Sequence, residues 1–81
     1  MHAKIISVQA IDDHTLVIEF ENQQRRKYDI VHLLEREMFA PLKNSGLFKN
    51  VQVDKGGYAV YWNDEIDISE YELWIHGMPV S

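Results

Sequence analysis

Cysteine is absent from the 81 residues, which excludes disulfides, thiolate metal sites and a cysteine nucleophile and suits a reducing compartment. Long apolar runs are also missing: nowhere do about 18 consecutive apolar residues occur to span a bilayer. The opening stretch MHAKIISVQAIDDH carries no cleavage signal. The chain is therefore expected to be soluble, unexported and cytoplasmic, with no membrane partner. Basic residues are the scarcer charge, 8 Lys and Arg against 13 Asp and Glu for a net charge of -5. That balance repels phosphate backbones and argues against direct nucleic-acid binding. No linker, low-complexity tract or internal repeat divides the sequence, so residues 1–81 are expected to form a single domain. What is present, 46% hydrophobic and 26% charged residues, is the composition of a globular protein. A domain this small hides only about 60% of its unfolded surface, which leaves little room for a buried active site.

The segments KIISVQAI (4–11) and TLVIEFE (15–21) are rich in β-branched residues and flank DDH, a turn composition, so they read as a hairpin. In the second strand Leu16, Ile18 and Phe20 share one face and should be core. NQQ then turns the chain into RRKYDI, whose inward candidates are Tyr28 and Ile30. Arg25, Arg26 and Lys27 read as a solvated face that blunts a sheet edge. In VHLLEREMFAPLKNSGLF the period changes, with Val31, Leu34 and Met38 at helical spacing and Leu33 and Phe39 beside them. Pro41 splits this segment and suits the first position of a second short helix, for which Gly46 is a natural stop. LFKNVQV and YAVYW alternate around DKGG, a glycine-bearing hairpin turn. Tyr58, Val60 and Trp62 fall on one face with Ala59 and Tyr61 on the other, which predicts a strand that is central or covered on both sides. The sum is an α+β domain with a small antiparallel sheet: a three-stranded meander, a short helical crossover, a β-hairpin and a C-terminal helix.

VYWNDEIDISEYELW (60–74) concentrates five carboxylates with four aromatics. Part of this is a helix start. Ser69 and Glu72 stand as a capping box, Ile68 and Leu73 as a hydrophobic staple, and Glu70 and Glu72 meet the positive end of the helix dipole. Asn63, Glu65, Asp67 and Ser69 alternate as calcium-loop oxygens do, but Ile68 and Trp74 stand where that loop needs Gly and Glu. His2, His14, His32 and His76 are scattered without a metal-binding pair. Ser7, Ser45, Ser69 and Ser81 lie in no nucleophile elbow. Neither a metal, a cofactor nor catalysis is expected, and solvated turn charge accounts for Asp64 and Glu65. Asp67, flanked by Ile66 and Ile68, could bond backbone N–H groups or a basic residue across the sheet. Tyr61, Tyr71 and Trp74 are candidate partner-binding aromatics.

Taken together, VQAIDDHTLVIEFENQQRRKYDI, PLKNSGLFKNVQV and VYWNDEIDISEYEL resemble the bacterial domain-of-unknown-function family twenty-four forty-two across nearly the whole chain. The most distinctive element is a tryptophan, a turn, an Asp before an aliphatic residue and a helix with leucine at its fourth position, here Trp62, Asp67, Ile68 and Leu73. Glu65 replaces a frequent turn glycine, and Glu70 a frequent helix-opening proline. The resemblance brings no catalytic residues. It implies an interaction role as the antitoxin-like half of a two-gene module, with a neighbour-encoded small protein as partner and a homodimer as the other arrangement. The expected function is thus a non-enzymatic protein-binding module using Tyr61, Asp67, Tyr71 and Trp74. The alternative is a small-ligand or regulatory domain with Asp67 as the polar anchor of a pocket between sheet and helices.

Overall fold

A computed structural model describes residues 3–80; His2 and Ser81, weighed above as a ligand and a nucleophile, lie outside them. The meander forms as expected. β1 (Ile5–Ala10), β2 (Thr15–Phe20) and β3 (Arg25–Asp29) pair antiparallel in order, Val8 facing Ile18 and Leu16 facing Tyr28. Leu16, Ile18, Phe20, Tyr28 and Ile30 are buried, so the period-two reading selected the core face correctly. The turns follow their side chains. Asp12 Oδ1 accepts from the N–H groups of His14 and Thr15 at 2.9 and 2.8 Å, and the His14 N–H bond above all holds this carboxyl below its ordinary value.

The crossover departs from the α-helical reading. Val31–Leu33 and Glu37–Lys43 are 3-10 segments, held by bonds such as Leu33 N to Ile30 O at 2.8 Å and Phe39 N to Arg36 O at 3.0 Å. A 3-10 helix has three residues per turn, so side chains three apart share a face. Ile30, Leu33, Phe39 and Leu42 accordingly enter the core, whereas Val31 and Met38 are half exposed. Pro41 sits inside the second 3-10 segment, not at the first position of a helix. The short α1 (Ser45–Phe48) begins after Asn44, whose Oδ1 accepts from Leu47 N at 3.0 Å, and Gly46 is within that helix instead of ending it. Phe48 therefore belongs to α1 and not to a strand. Its carbonyl accepts from the buried Trp62 Nε1 at 2.8 Å, and the two rings stack 6.0 Å apart.

The hairpin β4 (Gln52–Val53) and β5 (Ala59–Tyr61) does not join the meander. With β6 (Asp67–Ser69) it makes a second sheet of order β4-β5-β6. β5 is central in hydrogen bonding, but only Val60 is deeply buried, while Ala59 and Tyr61 are half-buried and Tyr58 is 56% exposed. The central position expected of this strand holds within the second sheet, while its second face, Ala59 and Tyr61, is only partly covered. α2 (Glu70–His76) follows directly, and β7 (Met78–Pro79) then pairs with β3, completing the order β1-β2-β3-β7. β3 is thus not an edge, and the proposed role of its basic residues in blunting one is corrected. One core joins both sheets, with Ile5, Phe20, Tyr28, Phe48, Val60, Trp62, Ile68 and Leu73 among its members.

Gly57, in the turn between β4 and β5, approaches β1 closely. It has φ +78, and its carbonyl accepts from Ile5 N at 2.9 Å. A Cβ there would stand 2.7 Å from Ile5 O. Gly57→Ala is expected to cost about 1–3 kcal/mol in urea unfolding, combining left-handed strain with the close approach. A change within about 0.5 kcal/mol would show that the sheets are not pinned at this residue.

Candidate functional site

α2 exists because Ser69 Oγ caps the N–H of Glu72 at 3.1 Å, as the sequence predicts, and because Ile68 and Leu73 both reach the core. The reciprocal half of the capping box is absent. The Glu72 carboxylate turns from the helix start toward β3, where its Oε2 accepts from the Tyr28 hydroxyl at 2.7 Å. Its Oε1 lies 3.1 Å from His76 Nδ1 one helical turn on. With the Tyr28 hydrogen given to Glu72, the phenol oxygen accepts from His32 Nε2 at 3.3 Å, which assigns that ring nitrogen its proton. Burial, then the bond to Glu72 and its charge, raise the Tyr28 phenol well above its ordinary value. The hydroxyl is therefore a fixed donor at neutral pH.

These side chains form one wall system of a groove of about 640 Å³. Tyr28, His32, Leu33, Arg36 and Phe39 line it from β3 and the crossover, and Asp67, Ile68, Ser69, Glu72 and His76 from β6 and α2. Of its lining residues Leu33, Phe39 and Ile68 are buried, while the oppositely charged Arg36 and Asp67 are exposed. Among the described residues no group of three or more His, Cys, Asp or Glu is arranged to hold a metal ion.

The four residues expected to bind a partner are dispersed by the fold. Asp67 lines the groove, and Tyr61 is its register neighbour on β5. Tyr71 is 55% exposed on α2. Trp74 is half-buried: its ring meets Phe20 edge-on at 5.1 Å and is covered by the Arg26 guanidinium at 3.9 Å. Arg26 also donates to the Gly77 carbonyl at 3.3 Å, so it fastens the end of α2 instead of belonging to a solvated basic face. Tyr28, His32, Arg36, Glu72 and His76 were not singled out as a site. The signal was present in part, since Arg36 continues the three-residue spacing of Ile30, Leu33, Phe39 and Leu42.

A second surface lies on the outside of α2. Tyr71 and Ile75, one turn apart, are 55% and 48% exposed, and Met78 on β7 is 69% exposed. β7 covers only Arg26 and Lys27 of β3, and beside it is a cleft of about 440 Å³ lined by Thr15, Lys27, Asp29, Met78 and Pro79.

The model of the family described as "Protein of unknown function (DUF2442)" matches residues 5–77, so the chain belongs to that family. No curated protein and no solved structure matches it. The match covers the meander, the crossover, the second sheet and α2.

Because the folded state holds the Tyr28 proton more tightly than the unfolded chain, its contribution to stability is complete below pH about 10 and is lost as pH rises toward the folded-state value. Tyr28→Phe should lower stability at pH 7 by about 1–2 kcal/mol, the scale of a bond to a charged acceptor. It should also flatten the decline above pH about 10 in denaturant titrations. An unchanged alkaline slope would mean that Tyr28 titrates as an ordinary tyrosine.

Proposed function

We propose that this member of the DUF2442 family is a non-enzymatic, cytoplasmic protein-binding module, the antitoxin-like member of a two-gene pair, and that it docks its partner on the outer face of α2. The observation that carries the docking face is the exposure of Tyr71, Ile75 and Met78 within eight consecutive residues of a short chain. Large apolar groups concentrated on a small domain favour an interface, since aromatic and aliphatic anchors supply most of its energy. The face is also fixed. Leu73 is fully buried, Trp74 is clamped between Phe20 and Arg26, and Glu72 is tied to Tyr28, so little ordering remains to be done on binding.

Charge supports the kind of partner. The helix begins beside Asp64, Glu65, Asp67, Glu70 and Glu72, in a chain of net charge -5. A partner with an apolar patch bordered by basic residues complements this face, whereas a second copy would bring like charges together. No helix among the described residues is long and apolar enough to cross a membrane. The absence of cysteine suits the cytoplasm. Pairing with a neighbour-encoded protein rests on the family resemblance of the sequence. The non-enzymatic reading rests on Glu72, whose two oxygens are already engaged by Tyr28 and His76.

The test is to purify the chain with the product of the adjacent gene and measure association by calorimetry. Ile75→Asp should weaken the complex about tenfold or more without lowering the thermal midpoint, Tyr71→Ala should weaken it by a similar factor, and rising salt should weaken the wild-type complex. Trp74→Ala is the wrong probe, because it removes the Phe20 and Arg26 contacts and is expected to destabilise the free domain. Failure to associate at concentrations of about 10 μM, a binding free energy near 7 kcal/mol, would overturn the proposal.

A further inference from the structure

The geometry points to the groove as a binding site for a small zwitterion with an apolar side chain, a free α-amino acid of the leucine or phenylalanine kind. This goes beyond the docking face of α2 and does not depend on it. Arg36, exposed and extended between the two 3-10 segments whose Leu33, Phe39 and Leu42 are buried, lines the groove. Asp67 lines the same groove from β6. Among the described residues neither Arg36 nor Asp67 is in an ion pair or a side-chain hydrogen bond. The nearby carboxylate of Glu72, by contrast, is satisfied within the protein.

A cation and an anion that share one groove without an ion-pair partner among the described residues suit a ligand carrying both charges. A plain anion would meet the carboxylates of Asp67 and Glu72, and a plain cation would leave the guanidinium unused. Arg36 offers a planar fork that matches a carboxylate, and Asp67 accepts an ammonium group. Leu33, Phe39 and Ile68, each at least nine-tenths buried, line the same groove and offer apolar contact for the side chain. The volume of about 640 Å³ falls in the range of small-molecule sites.

The experiment titrates the labelled full chain, followed by amide chemical shifts, with leucine, phenylalanine, leucinamide and 4-methylpentanoate. Leucinamide lacks the carboxylate and 4-methylpentanoate lacks the ammonium group. Leucine or phenylalanine should shift the amides of Leu33, Arg36, Ile68 and Ser69 while leaving those of Tyr71 and Ile75 in place. Each half-ligand should bind about tenfold or more weakly, the scale of one lost charge-assisted bond. R36Q should erase the preference for leucine over leucinamide, and D67N the preference for leucine over 4-methylpentanoate. Both side chains are exposed, so neither variant is expected to unfold the domain. No shift with either amino acid at about 10 mM overturns the assignment, being weaker than any useful site. Leucinamide binding as tightly as leucine would also overturn it, marking a peptide amino terminus instead. So would 4-methylpentanoate binding equally well, or titrations unchanged in both variants.

Discussion

The hydrogen bond from the Tyr28 hydroxyl to the Glu72 carboxylate, 2.7 Å long across 44 residues of sequence, is the contact on which the arrangement of the domain depends. Tyr28 is 2% exposed. A phenol that deep needs a partner for its hydroxyl, because an unsatisfied one costs about 1–3 kcal/mol. Glu72 supplies that partner only when α2 lies against β3 with Leu73 turned into the core. The same placement sends Tyr71 and Ile75 outward, draws Trp74 onto Phe20, and closes one wall of the groove. One bond therefore sets the rotation of the helix, and with it both surfaces that carry the functional reading.

The cost of that bond is visible at the helix start. Ser69 holds its half of the cap, but the Glu72 carboxylate that would complete the box is taken by Tyr28 and His76. α2 is only seven residues long. It is kept by tertiary contacts, as expected of helices too short to be stable alone. At its other end the Arg26 guanidinium stacks on Trp74 and binds the Gly77 carbonyl, where positive charge also suits the helix dipole. Residues of β3 thus grip both ends of α2, Tyr28 at the first turn and Arg26 at the last.

Much of this was legible from local pattern. Alternation in Leu16, Ile18 and Phe20, and the placement of Tyr28 and Ile30, describe the meander correctly, because a half-buried strand must alternate. Ser69, Ile68 and Leu73 mark the start of α2 for the same kind of local reason. The α-helical expectation for the crossover fails because 3-10 and α periods differ by little over one turn, and a break at the extended Arg36 resets the phase between two short 3-10 segments. That leaves Val31 and Met38 exposed and Leu33, Phe39 and Leu42 buried. Which strands share a sheet was not legible, since β4-β5-β6 and β3-β7 are chosen by long-range packing. The same holds for the site: Tyr28, Arg36 and Glu72 are unremarkable singly, and only their meeting in space gives them a role. Asp67 was singled out for its apolar neighbours, and those neighbours are what anchor β6 at the groove.

The central claim, that Tyr28 and Glu72 act as one unit in seating α2, is tested most directly by a double-mutant cycle of Tyr28→Phe and Glu72→Ala in denaturant unfolding at neutral pH. The account predicts a coupling energy of about 1–2 kcal/mol, so that the second substitution costs little once the first is made. Additive effects, with coupling within about 0.3 kcal/mol, would contradict it and show that α2 is positioned by its apolar contacts alone.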